Sequence, residues 1–133
     1  MPPKIKFTYD DVIQAAMRVV EEKGLSSLTA RNVAAFLRSS SAPVYFHFAN
    51  MDDLDMCVVK ETERMLLEYT SKPYAERVFL NMGTGVAVFA CEHPLLDRAL
   101  MLEGGGYGEV VQDFLDTLAS EMIRDNRFTA LPD

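Results

Sequence analysis

The chain holds 133 residues with a formal net charge of −7, 49% of them hydrophobic and 25% charged, the balance of a globular protein able to build a compact head that shares a core with a second part. No apolar run approaches the roughly 20 residues that cross a bilayer, and the opening Met1-Pro2-Pro3-Lys4-Ile5-Lys6 lacks the apolar stretch of a signal peptide, so a cytoplasmic protein is expected. Cys57 and Cys91 are expected to be reduced thiols; Cys91-Glu92-His93 has some metal-ligand chemistry, but no second Cys/His cluster completes a tetrahedral site, so neither metal nor other cofactor is expected.

In chain order, Thr8 is placed to cap a first helix, with Asp11 as capping-box partner. Ile13, Ala16, Met17 and Val20 form its buried stripe, and Gly24 ends it. Thr29 caps a short second helix, Ala30 to Leu37, with Val33, Ala34 and Leu37 facing inward. Arg38-Ser39 makes a turn, and Ser40 caps a third helix whose Pro43 falls in the first turn, where no hydrogen bond is lost. Val44, Tyr45 and Phe48 supply its apolar face. Asn50 caps a fourth helix, with Asp52 and Asp53 in its first turn, running to about Thr70 before Ser71-Lys72-Pro73. The spacing predicts a fifth helix over Tyr74 to Glu92, apolar on nearly every face and therefore central. His93-Pro94 breaks it. A short sixth helix spans Leu95 to Leu102, Glu103 to Gly108 reads as a flexible loop, and a seventh helix spans Glu109 to Arg124 with Val110, Phe114, Leu118 and Met122 as its stripe; the tail from Asp125 is expected to fray. Alternating strand patterns and hairpin turns are scarce, so the fold class is all-α.

Net charge argues against nucleic acid until its distribution is read. Residues 1–54 hold six Lys/Arg and six Asp/Glu, whereas residues 55–133 hold seven against fourteen. Residues 23–51 carry Lys23, Arg31, Arg38 and His47 without one acid. Phosphate binding needs a neutral or positive local face, not a basic whole protein.

The informative segment is Thr29 to Leu54. Two short helices joined by a tight turn bury little alone and become stable on a third, which is the tri-helical helix-turn-helix head whose later helix enters the major groove. Thr29 and Ser40 place hydroxyls and unpaired backbone N–H groups at helix N-termini, natural phosphate sites. Tyr45 and His47 are further donors.

Thr29, Val33-Ala34, Ser40, Tyr45-Phe46-His47-Phe48 and Leu54 stand in the register of a known motif: Thr cap, buried Val/Ile-Ala pair, turn, Ser cap, Tyr-x-x-Phe run and terminal Leu. Over roughly residues 8–54 the chain resembles the TetR family of transcriptional regulators. Phe79-Leu80-Asn81-Met82-Gly83 and Glu92-His93-Pro94 resemble one branch of it more weakly. The resemblance implies a DNA-binding domain at 1–54 and a helical regulatory and dimerisation domain at 55–133. It implies phosphate contacts from Thr29, Tyr45 and His47, with Arg31 near the duplex and positions 39–46 (Ser39, Ser40, Ser41, Ala42, Pro43, Tyr45 and Phe46 among them) toward the bases. Lys6 and Arg38 complete the expected DNA-binding set. Arg38 stands where the family usually has a turn glycine, Ser39 where a buried Val is common, and Ala49 where a Lys is common. The recognition helix has no Lys or Arg, so it cannot read guanine bidentately. These departures favour the alternative, a helical ligand-binding or interaction module that no longer binds DNA specifically.

In the second half, Tyr69, Phe79, Met82, Val86, Phe89, Met101 and Tyr107 form the candidate ligand-binding set. The acidic balance there points to a small apolar or cationic effector. The expected partners are double-stranded DNA and a second copy of the chain, with no membrane. No nucleophile motif or acid–base set is legible, so no enzyme is expected. The chain is shorter than usual for the family, and by resemblance the last helices that form the dimer bundle are reduced or absent.

Overall fold

The computed structural model of the chain describes residues 6–103 and 108–125. Helix α1 (Tyr9–Lys23) leads through a single 3-10 turn (Leu25–Ser27) to α2 (Ala30–Leu37) and α3 (Ala42–His47). Helix α4 (Met51–Ser71) is the long pillar, followed by α5 (Val78–Glu92), α6 (Pro94–Arg98), a π turn (Ala99–Glu103) and α7 (Gly108–Arg124). There is no strand among the described residues, and none of the helices searched is long and apolar enough to cross a membrane.

Local chemistry sets the helix starts. Thr8 Oγ1 accepts from the Asp11 N–H at 3.1 Å while Asp11 Oδ2 accepts from the Thr8 N–H at 2.9 Å, closing a capping box. Thr29 Oγ1 accepts from Asn32 N–H at 3.1 Å, and Asn50 Oδ1 from Asp53 N–H at 3.0 Å. Gly24 ends α1 at φ +89°, a conformation that L side chains rarely adopt. The third helix departs from expectation. Its N-cap is Ser41, in helical conformation and without a side-chain cap bond; Ser40 Oγ only reaches the Ala42 N–H, at 3.4 Å.

Helix α1 buries more than one stripe: Val12, Ala15, Ala16, Met17, Val19 and Val20 are all inside, and Ile13 is half-buried. The reason is that α2 and α3 cover it on one side while α4 and α6 pack on another. Helix α4 presents Leu54, Val58, Thr62, Leu66 and Thr70, every fourth residue, to the interior. A single core therefore runs from Val12 and Val33 through Leu54 and Val58 to Phe89 and Leu100. Thr62 is buried in it at no polar cost because its hydroxyl donates to the Val58 carbonyl at 2.8 Å.

Helix α5 corrects two expectations. It starts at Val78, not Tyr74. Asn81 explains the delay: its side chain accepts from the Ala75 N–H at 2.9 Å and donates to the Thr70 carbonyl at 3.0 Å, holding 73–77 as a folded link. Nor is α5 central. Only Gly85 and Phe89 are buried, while Val78 is 54% and Leu80 50% exposed. Gly85 lets it lie backbone to backbone on α4, since a Cβ there would come within 2.6 Å of Thr70 Cα and the Tyr69 carbonyl oxygen. The expected single sixth helix is split into α6 and the π turn, with Leu96, Ala99 and Leu100 buried. On α7, Phe114 is buried and Leu118 and Met122 half-buried, a one-sided cover as its spacing requires. The side chain of Val110, the glycine-rich loop and the tail beyond Asp125 lie outside the described residues.

Candidate nucleic-acid interface

The geometry of α3 follows from which residues it anchors. Val44 and Phe48, one turn apart, are buried at 0% and 3%. The rotation this imposes turns Ala42, Tyr45 and Phe46 outward, and Ala49 just past the helix is exposed as well. Tyr45 is 57% exposed and Phe46 63% exposed, side by side on a helix otherwise short of donors. Two large aromatics left in water on so short a helix make this the most apolar exposed face of the head's third helix.

The expected DNA-binding residues gather around this face unequally. Lys6, Thr29, Arg31, Arg38, Ser40, Ala42, Tyr45 and Phe46 are exposed; Ser39, Ser41, Pro43 and His47 are half-buried. Ser39 Oγ donates to the Ser40 carbonyl at 2.8 Å. Thr29 keeps its hydroxyl on its own cap. Arg38 takes the left-handed conformation, φ 53° and ψ 44°, and no other non-glycine among the described residues has positive φ. That strain costs about 1 kcal/mol, and the residue is exposed at the turn. Arg18, also in the head, is engaged over the Phe36 ring at 4.9 Å and 4.0 Å from Glu22. His47 Nε2 lies 2.9 Å from the Phe7 carbonyl oxygen, a bond between the end of α3 and the segment entering α1 that spacing alone did not reveal. Beside it, Tyr9 stacks on Phe48 with centroids 4.9 Å apart and bonds Cys57 Sγ at 3.2 Å; this thiol, with burial second, pushes the phenol's pKa up.

The candidate ligand residues are not gathered in one cavity. Met82 and Met101 line a cleft of about 200 Å³ with Leu66, Leu67, Leu100 and Phe114, and Glu63 and Asp113 also line it. Phe89 is fully buried in the core, with Tyr69 edge-on to it at 5.3 Å. Val86, Tyr69 and Met101 pack against that core. Phe79 lies on another face of α5, in a surface hollow with Leu80, Gly83 and Val88. Tyr107 is outside the described residues.

A polar cluster missed by spacing joins the two halves. His93 Nδ1 donates to Glu21 Oε1 of α1 at 2.5 Å, His93 Nε2 is 3.0 Å from the Tyr69 hydroxyl of α4, and that hydroxyl also donates to Glu92. The one available signal was the unusual Glu92-His93-Pro94 run at a helix break. Its partners, 72 and 24 residues away, follow from tertiary packing.

Residues 12–54 match the family described as bacterial regulatory proteins, tetR family. No curated protein matches the chain. Among solved structures the chain is similar to the crystal structure of multidrug binding protein EbrR complexed with imidazole, with a TM-score of 0.63 and 20% sequence identity, over 88% of this chain and 68% of that one. A likeness at that identity concerns the fold: a helix-turn-helix head continued by a helical second part.

Proposed function

We propose that the chain is a DNA-binding regulator of the TetR family, whose model matches residues 12–54, and that it works in the cytoplasm as a homodimeric repressor released by a small effector. Residues 1–54 are the DNA-binding head and 55–133 the regulatory and dimerisation half. The exposed aromatic face of α3, inside a segment of 23–51 that holds no acid, carries the reading. Tyr45 and Thr29 bond phosphates, and positions 39–46 meet base edges in the major groove. With no Lys or Arg on α3, base reading rests on serine hydroxyls and on apolar contact with thymine methyls. A second copy would cover apolar surface that α5 and α7 leave in water, including Leu80 and Leu115, and would set two heads against half-sites about one helical turn apart.

The effector site is the cleft between α4, α5, the π turn and α7. Its walls are apolar and two carboxylates line it, which suits a small cation with an apolar body. Cation and shape are separable experimentally. Calorimetry should find benzyltrimethylammonium bound more tightly than neopentylbenzene, its uncharged isostere, and the preference should vanish in Glu63→Gln/Asp113→Asn. The cation should also lower the affinity for a duplex. Equal binding of the two probes would remove the cationic reading, and DNA affinity indifferent to a bound effector would remove release.

A further inference from the structure

We propose that His47 is a positioning residue of the DNA interface, fixing the basic segment that enters α1 against the end of the recognition helix so that Lys6 supplies a phosphate contact α3 lacks. This rests on the DNA-binding reading above and goes beyond it in giving His47 a different task from donation to phosphate.

A backbone carbonyl oxygen only accepts, so it is Nε2–H of His47 that donates to Phe7, at 2.9 Å. In the neutral ring this fixes the tautomer and leaves Nδ1 a bare acceptor, which repels a phosphate oxygen. The ring is also held from its sides: Phe46 stands edge-on to it with centroids 4.9 Å apart, and Tyr9 edge-on at 6.1 Å. A half-buried imidazole bonded at one nitrogen and flanked by two aromatics is built to hold something in place.

What it holds is charge. Phe7 is followed directly by Thr8, the cap of α1, and preceded by Lys6, whose ammonium lies 5.6 Å from the Phe7 ring centroid and is exposed. The His47 bond therefore fixes the backbone next to Lys6 at the end of α3. Helix α3 has no Lys or Arg, and Ala49 beyond it offers no side-chain donor. An unpinned Lys6 would lose ordering entropy on meeting a phosphate; a pinned one has lost it already.

The test is a double-mutant cycle read by anisotropy on a labelled mixed-sequence duplex about two helical turns long, with the full chain. Lys6→Ala should weaken binding about fivefold, the worth of one typical net hydrogen bond, and lower the salt slope by about one. His47→Ala should do the same, and the double variant should be no weaker than either alone. His47→Gln, whose amide N–H occupies the place of Nε2–H, should bind within about twofold of the wild type. Thermal melting checks folding, and if His47→Ala fails to fold, the His47→Gln and Lys6→Ala pair decides alone. Additive losses with a slope lowered by about two, or a His47→Gln that binds poorly, would put His47 on phosphate and overturn the proposal. A Lys6→Ala chain that binds like the wild type would overturn it too. A wild type that binds no duplex would instead withdraw the DNA-binding reading, and this inference with it.

Discussion

Thr29 has two duties that can be separated by experiment. It caps α2 through its hydroxyl, and in the proposed interface it meets a phosphate. Thr29→Ala should therefore lower stability by about 1 kcal/mol and DNA affinity as well. Tyr45 is more than half exposed, so Tyr45→Phe should lower affinity while leaving the melting temperature nearly unchanged. Wild-type affinity in Tyr45→Phe would take that hydroxyl out of the interface. Tyr69 supplies a pH-dependent readout. Its hydroxyl donates to Glu92, and that bond, with burial and the Glu92 charge behind it, pushes its pKa up to about 12. A phenol raised in the folded state contributes stability that is intact below its unfolded value near 10 and is lost as pH climbs through the folded value. Tyrosinate absorbance should then show a late step at about 12 that disappears in Tyr69→Phe and moves down in Glu92→Gln. A late step that survives Tyr69→Phe would break the assignment.

At the scale of elements, the head was more legible than the rest because its signals are local. Thr8, Thr29 and Asn50 cap the helices whose first turns they precede, and Gly24 closes α1; each of these depends on atoms within about one turn. Helix α3 was legible in its apolar residues but not in its first turn, because Ser40 and Ser41 offer the same chemistry one residue apart. The start of α5 was not legible because Asn81 sets it by bonding Ala75 and Thr70 across a link. Its exposure was not legible either, since composition says what a face prefers and not what remains to cover it. The candidate cleft draws on four elements, so only Met82 and Met101 of its walls stood out beforehand. The α4–α5 contact makes a test in which sign alone decides. Exposed Gly83 has nothing within 4 Å of a built Cβ, so Gly83→Ala should stabilise by about 0.5–1 kcal/mol through helix propensity. Gly85→Ala should destabilise by about 2 kcal/mol or more, because its methyl meets the backbone of Thr70 and Tyr69. Two stabilising substitutions in thermal melts would mean the helices are not in backbone contact.

Across the whole molecule, charge and core are distributed differently. The core is continuous from the head into the second half through α4, whereas the excess of negative charge lies entirely beyond residue 54. The continuous core joins the head to α5 and α6, with the Glu21–His93–Tyr69 cluster as a polar tie across the same junction. The uneven charge orients the molecule, so that the neutral head approaches the duplex and the acidic half stays clear of it. The central claim is that this head binds DNA through its phosphates despite a net charge of −7. It is tested most directly by anisotropy titrations of a labelled duplex over a range of salt concentrations. Binding should weaken steeply, with log affinity falling linearly against log salt at roughly −0.9 per phosphate neutralised. An affinity that does not change between low and physiological salt, or no binding at low salt, would contradict it.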